Sequence, residues 1–457
     1  MAADFSHLQD IFGNVPMVKR YTLLSLFFTL DASQDIREIV AGLRDGLNKL
    51  SDAVPYLKAQ VVYQGQTKTN WGRTKIVPLS ESVQLATRDL RDGDTFPSMA
   101  DLAKGGYPIK HLEPNILVPE DDLPLFYTAP RAYEESADRP ARVLAVQATF
   151  VKGGLILTFA SNHTTMDMNG LGQTICLFAK ACRDEDFSEK DIVEANQSRL
   201  HSVTLLGDEY EPGPEARYFI FRSRDVTGAA RGPQFPPVWA NITISAHALN
   251  DLKTQASKQD IVPYITTNDA VSSFFWQRVT AARAARLGTN VESEINRQLS
   301  ARRLFGLSDG YMGHFTGSAH THEVDVYKLP LSTVAGKLRQ ALQDTDTLKF
   351  HVQAMATMLE RPTTDKTMVG YGASLDADTD LILSSYAEIQ VCQVSFGSLL
   401  GVPDAARRPN VNPWPGLVYL MPKDKSGSLT ATVCLRQDDM EQMREDEQFK
   451  QYATYVG

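Results

Sequence analysis

The chain has 457 residues, 43% of them hydrophobic and 22% charged, the balance of an ordinary globular protein long enough for two domains with sizeable cores, or three. Its formal net charge of −9 gives no general attraction to nucleic acid or to an anionic membrane, so neither is expected as a partner. Four cysteines (Cys176, Cys182, Cys392, Cys434) stand apart in apolar contexts with no C-x-x-C, which predicts reduced, buried thiols.

The opening MAADFSHLQDIFGNVP has no basic stretch followed by an apolar core. No apolar run nears the roughly 20 residues that span a bilayer. A cytoplasmic protein acting as a monomer is expected.

Residues 17–30, MVKRYTLLSLFFTL, read as a buried strand. In the next segment Ile36, Ile39, Val40, Leu43, Leu47 and Leu50 recur at helical spacing, with Asp31 or Ser33 to cap the start. KAQVVYQ (58–64) reads as a strand again, and strand–helix–strand points to a mixed α/β layer architecture. Residues 142–160 read as a hairpin, two β-rich runs around Lys152-Gly153-Gly154.

SNHTTMDMNG (161–170) follows directly. MNGLGQTICLFAKACRDED comes next as a helix with Ile175, Leu177, Phe178, Ala181 and Cys182 on one face. His163 therefore sits where a buried strand hands over to a helix, a place where binding and catalytic groups gather in α/β layers. Residues 206–238, rich in Gly, Pro and charge, read as the connection between two domains. Beyond it, NITISAHALNDLKTQASK reads as strand then helix. Residues 266–288 read as a helix capped by Thr267 or Asn268. The last third alternates strands (LILSSYAEIQV, GLVYLMP, SLTATVCLR) with short helices.

His163-x-x-x-Asp167 fits a general base with a helper, half of a metal site, or chance. A metal reading lacks a third ligand nearby in sequence. His320 and His322 share one strand face beside Glu323, a pattern more usual for a polar face than for a metal site, so no metal is expected. No G-x-S-x-G, G-x-G-x-x-G or Walker A loop occurs, which disfavours a serine hydrolase and the common phosphate-binding loops. A histidine acting alone remains, with an ordinary pKa of ~6.5 suited to accepting a proton near neutrality.

GGLILTFASNHTTMDMNGLGQTICLFAKACRDE resembles the catalytic segment of the BAHD-type acyltransferases, in the fungal branch of trichothecene 3-O-acetyltransferases. TTNDAVSSFFWQRVTAAR, LSARRLFGLSDGYMGH, SSYAEIQVCQVSFGSLLGVPDAARRP and the closing MEQMREDEQFKQYATYVG resemble further family segments in the same order, so the likeness runs over almost the whole chain.

The resemblance implies an α/β fold of two chloramphenicol-acetyltransferase-like mixed-sheet domains, 1–205 and 239–457, joined by a crossover at 206–238, with the active site in a channel between them. It implies acyl transfer to an alcohol of a secondary metabolite from acetyl-CoA or another acyl-CoA, a co-substrate and not a resident cofactor. His163 would be the base. Asp167, matching the family's aspartate, would pair with Arg302 and hold the loop. Gly170 stands two positions after Met168, which replaces the family's usual glycine.

The family's Asp-Phe-Gly-Trp-Gly motif is altered. Ser395 replaces the aspartate, Phe396 and Gly401 remain, and Leu400 stands near the tryptophan position. Ser384, Ser385, Phe396 and Gly401 are the candidate donor-binding residues, and His314 a candidate cleft residue. A condensation-domain-like enzyme using a carrier-protein thioester is the competing reading, disfavoured because Asn162 stands where those domains double the histidine. A cleft repurposed for other chemistry is a third.

Overall fold

The protein is represented by a computed structural model that describes residues 4–93, 95–119, 140–222, 235–411 and 413–457. Part of the predicted connection, 223–234, lies outside the described residues.

Two mixed sheets organise the chain. The first has five strands, in the order Ala405–Arg407, Tyr21–Thr29, Gly154–Asn162, Leu144–Val151, Gln84–Asp89. The second has seven, in the order Thr454–Tyr455, Pro237–Ile244, Leu429–Arg436, Leu417–Leu420, Leu381–Ser385, Glu292–Ser300, Thr316–Val324. A separate two-stranded ribbon pairs Gln60–Gln64 with Arg73–Val77.

The strand Gly154–Asn162 is buried along its whole length. It lies between two antiparallel neighbours, with Tyr21 opposite Asn162 on one side and Leu144 opposite Ser161 on the other. A strand covered on both faces has no use for alternation, which is why GLILTFA reads as a continuous apolar run. Gly153 makes the hairpin turn at φ 76°.

The helix Ile36–Ala53 buries Ile39, Leu43, Leu47 and Leu50 against this sheet's core, as the spacing predicts. Its cap is Asp35, not Asp31 or Ser33, because only the Asp35 carboxylate reaches the Arg37 N–H. In the second half the helix Thr267–Leu287 is capped one residue earlier than read, by Thr266. There Thr266 and Asp269 exchange side-chain and backbone hydrogen bonds in a capping box. LILSSYAEIQV is extended only over Leu381–Ser385.

The halves interlock. Ala405–Arg407 leaves the second half and adds to the edge of the first sheet, pairing Ser25 with Arg407 and Phe27 with Ala405. A shared apolar cluster packs Phe12 and Val15 from the N-terminus against Phe315 and Met355. Phe12 meets Phe315 edge to face at 5.4 Å. No described helix is long and apolar enough to cross a membrane.

Candidate active site

His163 is the first residue beyond the strand Gly154–Asn162, and its N–H donates to the Arg20 carbonyl at 2.8 Å, extending the ladder by one step. Its ring Nδ1 lies 3.0 Å from the Met166 carbonyl. A carbonyl only accepts, so Nδ1 carries the proton and Nε2 keeps its lone pair. Burial, with His314 and Arg20 nearby, holds the His163 pKa well below the usual histidine value. The ring is therefore a neutral base at physiological pH.

Asp167 does not help by touching that ring. It caps the helix Met168–Cys182 through the Gly170 N–H at 2.9 Å. Arg302 grips it at two points, Nη1 to Oδ2 at 2.7 Å and Nη2 to Oδ1 at 2.8 Å, and the Phe315 N–H adds a bond of 3.0 Å. The Arg302 guanidinium and these donors outweigh burial and hold the carboxyl below the ordinary aspartate range. Arg302 spends its other donors on the Tyr311 and Gly313 carbonyls. Gly170 is a matter of space: a Cβ there would meet the Met312 carbonyl oxygen at 2.2 Å.

His314 donates from Nδ1 to the His163 carbonyl at 2.9 Å, and its Nε2 faces the Tyr371 hydroxyl at 3.4 Å. The two imidazoles lie 4.8 Å apart. Burial lowers the His314 pKa as well, so the pair is neutral and the rings do not repel.

A second buried ion pair supports this arrangement, and no motif announces it. Arg199 Nη1 donates to Asp10 at 2.8 Å and to the Thr165 carbonyl, inside the His163 loop, at 2.6 Å. Asp10 also accepts from the Tyr311 hydroxyl and the His314 N–H. Both side chains are 1% exposed.

A cavity between the halves runs past His163 as two connected chambers, about 900 and 940 Å³ counted out to their open mouths. His163, His314, Arg20, Arg408, Ser384 and Ser385 line the first. The second is more apolar, with Phe221, Leu375, Trp414 and Pro415. Met17, Arg20, Tyr371, Ile382 and Leu417 belong to both.

Of the donor-site candidates, only Ser384 and Ser385 reach this cavity. Phe396 is buried against Phe28 and Phe178 in the first core, and Gly401 makes a turn at φ 67° with its carbonyl accepting from the Phe396 N–H. The altered motif clasps the halves together: the Ser395 carbonyl accepts from Arg183, and the Asp404 N–H donates to the Phe27 carbonyl.

His320 and His322 do share a face, and both reach Glu294, at 2.5 and 3.4 Å. Tyr218 stacks on His320 at 3.8 Å. Among the described residues no group of three or more His, Cys, Asp or Glu is arranged to hold a metal ion.

Two family models match, the trichothecene 3-O-acetyltransferase-like N-terminal domain over residues 20–182 and the Transferase family over residues 110–450. The chain belongs to the Transferase family, the BAHD acyltransferases, and is an acyltransferase. It is 34% identical to the O-acetyltransferase dmxR13 of Cryptosporiopsis sp., with 100% of this chain and 99% of that one covered. The structure of Fusarium sporotrichioides TRI101 with coenzyme A and T-2 superposes at a TM-score of 0.87 and 34% identity, covering 98% and 99% of the two chains. F. graminearum TRI101 with coenzyme A and T-2 mycotoxin gives 0.89 at 32% identity, with the same coverage. Both sheets and their interlock are thus the two-domain BAHD fold.

Proposed function

We propose that this acyltransferase moves an acyl group, acetyl in the first instance, from acyl-CoA to a hydroxyl of a fungal-type secondary metabolite, with His163 as general base. The observation that carries this is the His163 tautomer: Nδ1 is spent on the Met166 carbonyl, and the basic Nε2 is left to a cavity between the two halves.

The acceptor hydroxyl gives its proton to Nε2 as its oxygen attacks the thioester carbonyl. The tetrahedral intermediate then collapses, the C–S bond breaks, and the departing thiolate takes the proton back from the imidazolium. No acyl-enzyme is needed. The cysteines suit none: burial raises Cys176 to about 11 and Cys182 and Cys392 to about 12. Asp167 and Arg302 are positioning residues. Gly170 lets the helix after the motif close on the Met312 backbone. Ser384 and Ser385 are the donor-site candidates that the cavity retains.

The same reading divides the chain at the 206–238 crossover, with Ala405–Arg407 lent to the first sheet. It takes the enzyme as a cytoplasmic monomer. Thiol release from acetyl-CoA across a panel of fungal alcohols tests it. Release that requires an acceptor and disappears in His163→Ala supports the proposal, and equal release by wild type and His163→Ala with every acceptor overturns it.

A further inference from the structure

Arg20 and Arg408 line the same chamber as His163, and neither has a carboxylate within ion-pair distance among the described residues. Arg408 is 6% exposed, and its Nε has no hydrogen-bond partner. Its guanidinium lies 4.4 Å above the Tyr419 ring. Phenol faces and hydroxyls stabilise a cation but bring no negative charge.

The carboxylates that line the cavity take their hydrogen bonds from other groups. Asp167 is bound by Arg302. In the second chamber, Asp380 accepts from the Glu294 and Asp376 N–H groups, and Asp376 from that of Asp378. Two guanidinia, Arg408 buried and Arg20 half-buried, thus face the cavity without counter-ions, an arrangement that costs free energy at the buried one until an anion arrives.

The register says which substrate brings it. Tyr21 faces Asn162 across the ladder, and the His163 N–H bonds the Arg20 carbonyl, so Arg20 stands opposite His163. Side chains directly opposite share a face, with Cβ atoms roughly 5 Å apart. The free cation is therefore beside the base. An acyl-CoA presents its thioester there, and its phosphates lie at the far end of the long, uncharged pantetheine arm. The anion belongs to the acceptor.

We propose that the acceptor is a hydroxy acid: an alcohol on an apolar body whose carboxylate is held by Arg20 and Arg408 while its hydroxyl meets His163 Nε2. The apolar second chamber, lined by Phe221, Leu375 and Trp414, takes the body. This rests on the acyltransferase reading and names its substrate class.

The test separates the two. Binding of 2-naphthoate and of methyl 2-naphthoate to the CoA-saturated full chain is measured by calorimetry, with a panel of aliphatic carboxylates and their methyl esters alongside. The acids are expected to bind at least ~100-fold more tightly than the esters, the discrimination typical of a site whose buried polar groups an analogue leaves unpaired. Arg408→Met and Arg20→Met should each shrink that ratio towards one, and Arg408→Lys should restore part of it. Should Arg408→Met fail to fold, Arg20→Met carries the comparison.

Equal binding of acid and ester by the wild type across the whole panel overturns the proposal. So does an acid preference that survives in both methionine variants. Turnover of 6-hydroxy-2-naphthoate and its methyl ester adds a third outcome: if the variants lower kcat equally for both with the ratio unchanged, the arginines serve the oxyanion and the proposal fails. None of the binding results depends on acyl transfer, so an arginine-dependent acid preference without thiol release would sink only the proposed transfer from acyl-CoA to an alcohol.

Discussion

Asp167 and Arg302 meet in a two-point ion pair that joins the helix after the strand Gly154–Asn162 to the short 3-10 helix Arg302–Phe305 after the strand Glu292–Ser300. The aspartate of the motif is thereby spent on architecture. All four of its hydrogen bonds go to the Gly170 N–H, the Phe315 N–H and the Arg302 guanidinium, and none to the His163 ring.

Asp167→Asn should therefore be a stability variant first. It leaves a buried guanidinium without its counter-charge, a loss of about 3–5 kcal/mol. His163→Ala removes a ring whose hydrogen bond goes to the Met166 carbonyl, and should melt near wild type while losing activity. The depressed Asp167 pKa fixes the sign of the pH effect: its contribution is present above the unfolded value near 3.8 and is lost as pH falls through the folded one. The gap between wild type and Asp167→Asn should narrow below about pH 3.8. Urea unfolding of both variants between pH 7 and pH 3 measures it; a destabilised His163→Ala beside a stable Asp167→Asn would reverse the assignment.

Gly170→Ala tests the fit between the motif helix and the second half. The added methyl would sit 2.2 Å from the Met312 carbonyl oxygen and 2.9 Å from Met166 Cβ. Backbone on one side cannot rotate away, so the helix must shift at a cost of about 1–3 kcal/mol. Met166 also holds the His163 tautomer, so activity should fall by more than the fraction unfolded explains. Melting and kcat measured together decide this; an alanine variant with wild-type kcat would show that the loop tolerates the shift.

Asp10→Asn should behave like Asp167→Asn, although no motif marks it. Arg199 would keep its Thr165 carbonyl bond but lose its counter-charge, with a loss of about 3–5 kcal/mol. A double-mutant cycle with Arg199→Met measures the coupling. A coupling near zero would mean that the pair contributes nothing beyond its separate hydrogen bonds.

These residues also mark the limits of the sequence. The strand, the helix after it and the position of His163 were legible because burial on both faces and helical spacing are written locally. Arg302 was legible only through the resemblance to a family. Asp10 and Arg199 lie 189 positions apart, and neither has a local pattern that distinguishes it from a surface charge. Arg20 was hidden for the same reason: its importance comes from standing opposite His163, which only the register reveals. Phe396 looked like a donor-site residue from its motif, but aromatic packing with Phe28 and Phe178 claims it for the core.

The pH profile is the most direct reading of the base. Burial, His314 and Arg20 all disfavour the imidazolium, so the His163 pKa lies well below 6.5. Activity needs the neutral form, which is present above that pKa and lost as pH falls through it. With a non-ionising acceptor, kcat/KM should stay flat as pH drops through 6.5, and the acid limb should begin lower. Stability behaves differently in the same window. Below about pH 6.5 the unfolded chain protonates its histidines while folded His163 and His314 resist, so unfolding becomes easier as pH falls. Arg20→Met removes one of the three causes and should move the acid limb of kcat/KM back towards 6.5, short of reaching it because burial remains the largest. An acid limb at or above 6.5 in the wild type would mean that His163 is not the group titrating in the free enzyme.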